Sequence, residues 1–594
     1  MSPKRPRTLH LKRALLLVWH AAPGWTGAGL ALIGLQAGLP LLQLYLLKLT
    51  VDAVAAGIAA LTQVVVLVGF TGATALAMVF LMAVARVVGE AQADVVTDHV
   101  QDLLHAKSVA LDLEYYENSR FYDTLHRAQQ EASYRPTHLV NGLGRTLLNC
   151  VSLLGIAGLL FSCHWGVAAV LMAALAPGVL VRLKFAARLF EWRRARSATE
   201  RRAAYLSWLL TGEYHAKEIR LFALGSLLIG RFRELRRQIR QERIGLALKQ
   251  TLSDLAAQAG ATLAIFGALA FIAYRAVQGY MTLGDMVLYY QAFQRGQGYL
   301  REMLAGLAGL YEDNLFLGNF YDFLDLQPTV IEPRRPVPAP RPLERGIVFD
   351  RVSFQYPAGA APVLREVSLT IPPGQVVALV GENGSGKTTL VKLLCRLYDP
   401  TTGRITVDGL DLRRLESAAW RREIGIIFQD YAHYQMTARE NIWMGNIELA
   451  PAAEKIETAA KISGAHAIFT KLPQGYDTML GNWFADGAEL SSGQWQKVAL
   501  GRALVRDAQI VVLDEPTSSL DVRAEAAVFQ HFRRLAAGRT AILISHRFSS
   551  IRMADFIYVL QDGRIIEGGS HEELRRRGGA YAHLFETQAR HYRR

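Results

Sequence analysis

The residues best suited to chemistry lie in the run GENGSGKTT, Gly381 to Thr389. It follows a short apolar stretch, Val376 to Val380, and leads into a helical pattern, Leu390 to Arg396. This is G-x-x-x-x-G-K-[ST] in a strand–loop–helix setting, the context that gives the pattern its meaning. Gly381, Gly384 and Gly386 let the backbone of Glu382, Asn383 and Ser385 bend so that several N–H groups converge on one phosphate chain. The helix N-terminus that follows adds the positive end of its dipole. Lys387 supplies a point charge for the outer phosphates, and the hydroxyl of Thr388, with Thr389 beside it, can face a Mg²⁺ ion. The plainer reading is a Gly/Ser-rich turn with a stray lysine; the companions downstream argue against it.

IVVLDE, Ile510 to Glu515, reads as a buried parallel strand ending in two acids. Open α/β sheets place ligands at that edge. Asp514 can hold Mg²⁺ through water, and Glu515 can orient and polarise an attacking water, since phosphoryl transfer depends mainly on positioning and electrostatics. LSSGQ, Leu490 to Gln494, opens a second helix whose small residues, Ser491, Ser492 and Gly493, again suit a phosphate. One chain rarely needs two phosphate cradles for one nucleotide. Two copies facing head to tail would use both, twice, by symmetry.

These elements need a scaffold. A chain of 594 residues is too long for one core. Half its residues are hydrophobic, mean hydropathy is +0.15, and the apolar residues gather in the first part. The net charge of +14 could serve nucleic acid. However, the basic stretches Arg193 to Arg202 and Arg231 to Arg243 fall between hydrophobic segments, as in the cytosolic loops of a membrane protein. No nucleic-acid partner is therefore expected. Cys150, Cys163 and Cys395 form no C-x-x-C pair and no metal spacing, and read as ordinary buried thiols. The basic N-terminus, with Lys4, Arg5, Arg7, Lys12 and Arg13, reads as an uncleaved cytosolic arm leading into an amphipathic helix.

The fold class expected is a multidomain membrane protein: a six-helix, all-α transmembrane domain with long cytosolic helical extensions, followed by an α/β P-loop ATPase domain. Residues 1–326 hold about six segments near the ~20 residues a spanning helix needs, at about 24–47, 63–86, 145–163, 165–184, 253–274 and 283–308. Basic flanks such as Arg86, Lys184 and Arg188 put both termini in the cytosol. The connectors 87–144 and 185–252 carry helical periodicity, so that the membrane helices would continue into the cytosol and return. Leu111 to Leu125 and Leu209 to Phe222 would form the tips, as docking helices. Six prolines between Pro328 and Pro342 make 327–345 a semi-extended linker, and a soluble α/β pattern fills 346–594.

Tyr356, GENGSGKT, Gln429 in IIFQD, LSSGQ, IVVLDEP, SSLD ending at Asp521, and His546 in LISHR occur in that order. The series resembles the nucleotide-binding domain of ABC transporters. The helical part resembles the membrane domain of exporter-type half-transporters, and GNWFADGAELSSGQWQKVAL with AKEIRLF is similar to lantibiotic and related peptide exporters. The resemblance implies ATP and Mg²⁺ as cofactors. Tyr356 would stack on adenine, Gln429 would contact Mg²⁺ with Thr388 and Asp514, Asp521 would lie at a dimer interface, and His546 would contact the γ-phosphate. Lys387, Glu515 and His546 would carry catalysis. The implied activity is ATP-driven export of a substrate, a peptide on the narrower likeness, by alternating access in a homodimer held in a bacterial inner membrane. A lipid flippase or importer of the same fold, or an ATP-gated channel or sensor, is the alternative. Ser492 stands where the family has glycine, which would matter if the backbone there needs a positive φ.

Charges inside membrane segments are costly and point to function. The sixth segment carries Gln291, Gln294, Arg295 and Gln297 around its middle. Gln291 and Arg295 are candidates for lining a wet cargo cavity, with Gln36, Gln43 and Asn149 as lesser ones. Arg295 paired within the bundle or snorkelling to an interface is an equal alternative.

Overall fold

The computed structural model describes residues 9–118, 135–163, 165–357, 359, 361–514, 536, 538–545 and 551–592. The chain divides into two compact units, one of Met1–Val109 with Asp123–Leu326, the other of Ala110–Tyr122 with Gln327–Arg594.

The first unit is helical. A short α1, Leu9–Ala21, precedes α2, Pro23–Ala55, which starts with a proline, where a helix has no N–H to lose. Then come α3, Leu61–Ala110; and, beyond α4, Leu113–Glu117, of the second unit, α5, Arg135–Cys163; α6, Trp165–Thr211; α7, Ala216–Leu221; α8, Gly225–Val277; and α9, Leu283–Leu324. A Thr282/Asp285 capping box starts α9. The 50 residues of α3 and 53 of α8 rise about 75–80 Å, far beyond a ~30 Å hydrocarbon core. Long extensions outside the bilayer follow from length alone. Val65, Phe70, Leu76, Val79 and Phe80 stand exposed along α3, an apolar face that suits lipid and not water. Inside, Leu44, Ile156, Ile272, Leu288, Tyr289 and Phe293 pack one cluster from α2, α5, α8 and α9.

Each expected span falls on a long helix. Among the described residues, however, only α2, α3, α5 and α8 are both long and apolar enough to cross a membrane. The sixth expected span lies in α9, where Asp285, Arg295, Arg301 and Glu302 interrupt the apolar run.

The second unit holds α4, Leu113–Glu117, and two sheets. The first sheet is antiparallel, in the order β2 (Leu364–Ile371), β1 (Ile347–Phe354), β4 (Thr402–Val407), β5 (Leu410–Asp411). The second has six strands. Five are parallel: β9 (Phe556–Gln561), β3 (Val376–Val380), β8 (Thr540–Ile544), β7 (Ile510–Asp514) and β6 (Ile424–Ile427). The sixth, β10 (Arg564–Gly569), pairs antiparallel with β9 at the edge. β7 and β8 are buried at every position, as parallel strands covered on both faces must be. One core joins both sheets to α10, Lys387–Leu394. A separate core unites α12 (Ala438–Trp443), α13 (Glu454–Ser463), α14 (His466–Phe469) and α15 (Ser492–Leu504), α11 (Ser417–Arg422) being part of the first.

The Pro-rich segment is tied down rather than free-standing. Val337 N–H donates to Arg414 O at 2.9 Å, Leu343 N–H to Gln509 Oε1 at 2.9 Å, and the Arg341 guanidinium reaches Glu423 and Asp507.

Candidate functional site

Gly381 to Gly386 form the turn between β3 and α10. Glycine is required at two points. A Cβ on Gly381 would collide with the Leu560 carbonyl. Gly386 caps α10 at φ 107°, and a Cβ there would sit 2.7 Å from Leu364 Cδ2. Lys387 is the first helical residue, and its side chain curls back over the loop. Its Nζ donates to Gly381 O at 2.9 Å and Glu382 O at 2.8 Å, with Ser385 Oγ at 3.5 Å. Lys387 is thus buried, 5% exposed, beside a helix N-terminus whose dipole already favours an anion. Thr388 is half-buried, while Glu382, Asn383 and Gly384 lie at the surface.

Asp514 ends β7 with no exposed surface. It pairs in register with Ile544 of β8, which pairs with Leu379 of β3. Two steps across the sheet, about 10 Å, therefore separate the carboxylate strand from the strand that feeds the phosphate loop. Both end at the same edge, the one open α/β sheets use for ligands. Gln429 follows β6 and is exposed. Glu515, Asp521 and His546 lie outside the described residues.

Tyr356 is half-buried after β1. Its hydroxyl meets Thr389 Oγ1 at 3.1 Å, and its ring sits edge-on to Phe354 and Tyr398. Lys392 Nζ lies 5.5 Å from the centre of that ring. The same ammonium donates to Glu117 Oε1 of α4 at 2.6 Å, and Tyr398 OH donates to Glu117 Oε2 at 2.7 Å. Burial opposes the charge on Lys392, yet the Glu117 bond and the neighbouring Tyr356 leave its pKa above the ordinary lysine value. Burial, then Glu117, raise the Tyr398 phenol so that it stays a donor. Asp112 tightens the same join by accepting from Thr329 N and Val330 N, the latter at 2.9 Å. Lys392 and Tyr398 carry no motif and were not foreseen, whereas Glu117 falls in the mixed aromatic and charged run Leu111 to Leu125, expected as a docking tip.

Ser491 and Gln494 form a capping box that starts α15. Ser491 N–H donates to Gln494 Oε1 at 2.8 Å, and Gln494 N–H donates to Ser491 Oγ at 3.4 Å. The two serines stay exposed. Ser492 is the first helical residue and is not among the residues with positive φ, so the expected conformational penalty does not arise. Its carbonyl accepts from Tyr431 OH at 3.1 Å. Behind it, buried Trp495 donates to Glu489 Oε1 at 3.2 Å and stacks on His433 at 4.4 Å and 3°. Cys395 is an inert buried thiol, its pKa pushed up to about 12 by burial.

In the first unit, Arg295 is half-buried and donates to Pro40 O at 3.2 Å. Gln291 is half-buried beside it, Gln294 donates to Tyr290 OH at 2.7 Å on the exposed face, and Asn149 reaches Glu302 at 3.3 Å.

Comparison with known proteins agrees with this geometry. The ABC transporter family matches residues 364–518. The subtilin transport ATP-binding protein SpaT of Bacillus subtilis is 32% identical over 81% of this chain and 78% of its own length. The nisin transport ATP-binding protein NisT of Lactococcus lactis subsp. lactis is 31% identical over 81% and 80%. A bacterial Atm1-family ABC exporter solved with ATP bound superposes with a TM-score of 0.81 at 25% identity, covering 96% of this chain and 99% of that one. The chain therefore belongs to the ABC transporter family, as a membrane exporter that fuses a helical spanning unit to an ATP-binding and ATP-hydrolysing domain.

Proposed function

We propose that two copies of this chain export a peptide from the cytosol across a bacterial inner membrane, with the termini and the ATPase domain on the cytosolic side. One observation carries the pairing. The phosphate loop stands on the two-sheet core and the Ser491 turn on the separate helical core, each presented at the surface of its own subdomain. A second copy, head to tail, would let the loop of one face the turn of the other. The names of the relatives, transport proteins for subtilin and nisin, support a peptide cargo.

In this reading residues 1–326 form the membrane domain, 327–345 the linker and 346–594 the nucleotide-binding domain. Gly381 to Thr389 hold the phosphates, Tyr356 stacks on adenine, and Ser491 to Gln494 with Asp521 close the site from the partner copy. Glu515 polarises the attacking water, and His546 and Lys387 steady the γ-phosphate. The buried Asp514 carboxylate, with the Thr388 hydroxyl and Gln429 amide, makes an all-oxygen donor set that suits Mg²⁺ shared with nucleotide phosphates. Gln291 and Arg295 are the proposed cargo-facing pair of α9. Closure of the paired ATPase domains would swing the helices from inward- to outward-facing, and hydrolysis would reset them.

The test is ATP-driven uptake of peptides into inside-out vesicles, run beside Glu515→Gln. The variant should bind ATP, nearly stop turnover and accumulate closed dimers. Uptake of lipids but not peptides would favour a flippase, passive conductance a channel, and near-normal hydrolysis by the variant would remove Glu515 as the base.

A further inference from the structure

The strongest concentration of charge lies outside the nucleotide site. Residues 184–202 carry seven basic and two acidic side chains, and 231–243 carry six basic and two acidic, so these short stretches hold most of the chain's excess charge. They lie on the extensions of α6 and α8, and between them is a cavity of about 570 Å³. Its lining includes Trp192 and Glu200 from α6 and Arg236, Ile239, Arg240 and Arg243 from α8. The spacings are i and i+8 on one helix, and i, i+3, i+4 and i+7 on the other, so each set lies on one face.

One nearby acid, Glu242 of α8, is engaged on the opposite helix. Glu242 accepts from Trp192 Nε1 at 2.8 Å and from Arg196 Nε and Nη2 at 2.8 and 2.5 Å. The hydrogen bonds from Trp192 and Arg196 hold its carboxyl below the usual range. That bridge pins the indole against the wall and spends Arg196. No carboxylate among the described residues pairs with Arg236, Arg240 or Arg243. Three cations thus converge on one concave site with a fixed aromatic wall and a single lining acid, Glu200.

We propose that this cavity is a docking site for an acidic peptide segment, the carboxylates going to the three arginines and an apolar side chain to Trp192. The proposal deepens the peptide-export reading and rests on it, naming the chemistry of the cargo. Anionic lipid is too far away. Trp192 is eight residues past the expected end of its span and Arg236 seventeen residues short of the next, about 12 and 25 Å outside the hydrocarbon. Headgroups reach only about 5–8 Å. The small volume and single indole suit a few side chains and not a stretch of nucleic acid, which would ask for a long basic groove with repeated aromatic platforms.

The experiment uses the full-length protein in detergent micelles and a rhodamine-labelled peptide rich in Asp and Glu, read by fluorescence anisotropy. The control peptide carries Asn and Gln in their place. The wild type should bind the acidic peptide, with affinity falling as salt rises. R236Q/R240Q/R243Q should weaken binding about tenfold or more. R231Q/R233Q/R237Q removes the same charge from non-lining positions of the same helix and should leave binding within about twofold. Size-exclusion profile and ATP binding check that both variants are folded. Equal losses in the two variants would reduce the effect to net charge and overturn the site. Full displacement by anionic lipid vesicles would assign the face to the membrane, and preference for an oligothymidylate would assign it to nucleic acid; either overturns the proposal. Peptide uptake that persists unchanged in the lining variant sinks this site but not export. Acidic-peptide binding without ATP-driven uptake of any peptide sinks export but not the site.

Discussion

Glu117 offers the sharpest test of how α4 holds to the ATPase domain. Its carboxylate takes Lys392 at 2.6 Å and Tyr398 at 2.7 Å, and Lys392 also faces the Tyr356 ring. The side chains of Glu117 and Lys392 are 36% and 19% exposed. Hydrogen bonds to charged groups contribute about 1.5–3 kcal/mol each when buried, and this partial exposure argues for the lower end. Glu117→Ala should therefore cost about 2–3 kcal/mol of local stability, and Glu117→Gln, which keeps the hydrogen-bonding shape, about 1. As opening free energies these are about 30- to 150-fold and about 5-fold. Amide exchange across 110–118 in the full-length protein measures them directly. Lys392→Met should reproduce most of the alanine effect, and the double variant E117A/K392M should be no worse than the more damaging single by more than about threefold, because both remove one contact. Uptake per ATP hydrolysed should fall with the protection. Unchanged protection in E117A, or strictly additive losses in the double variant, would refute the reasoning.

The other expectations concern the nucleotide machinery. Lys387→Ala removes the ammonium that bridges Gly381 O and Glu382 O and should lower ATP binding or hydrolysis at least about a hundredfold in a coupled assay; wild-type turnover would contradict its role. Ser492→Gly should leave ATPase activity within about twofold, since Ser492 sits at a helical first position and not at a positive φ; a large gain would mean that the turn needs glycine after all. Burial, then the Arg502 charge, lowers the His433 pKa below the usual 6.5, against an opposing pull from Glu489. His433 should therefore remain neutral at pH 7. Its contribution is intact above the unfolded pKa and lost as pH falls through the folded one. Trp495 fluorescence, isolated by difference from His433→Gln, should change with a midpoint below 6.5, and a midpoint above 6.5 would refute the assignment.

The phosphate loop and the Ser491 turn were legible in the sequence because their constraints are local. Gly386 must adopt φ 107° next to Leu364, and Ser491 and Gln494 cap each other three residues apart. Such requirements write themselves into consecutive residue types. Long helices were legible for a similar reason, since a bilayer demands apolar residues in unbroken runs; α9 departs from the rule at Arg295, which donates one hydrogen bond to the carbonyl of Pro40, 255 positions away. The join of Glu117, Lys392 and Tyr398 could not be read in advance. Its partners are 275 and 281 residues apart, and each type alone is an ordinary surface charge or aromatic. The same holds for the cavity at Trp192. The arginine run is plain in the sequence, but a solvated face and a binding site share that pattern. What separates them is whether acids nearby are free to neutralise it, and here Glu242 is held by Trp192 and Arg196 on the opposite helix. Function in this chain is thus written twice, locally where backbone geometry must meet a phosphate, and only in three dimensions where one part of the protein must sense another.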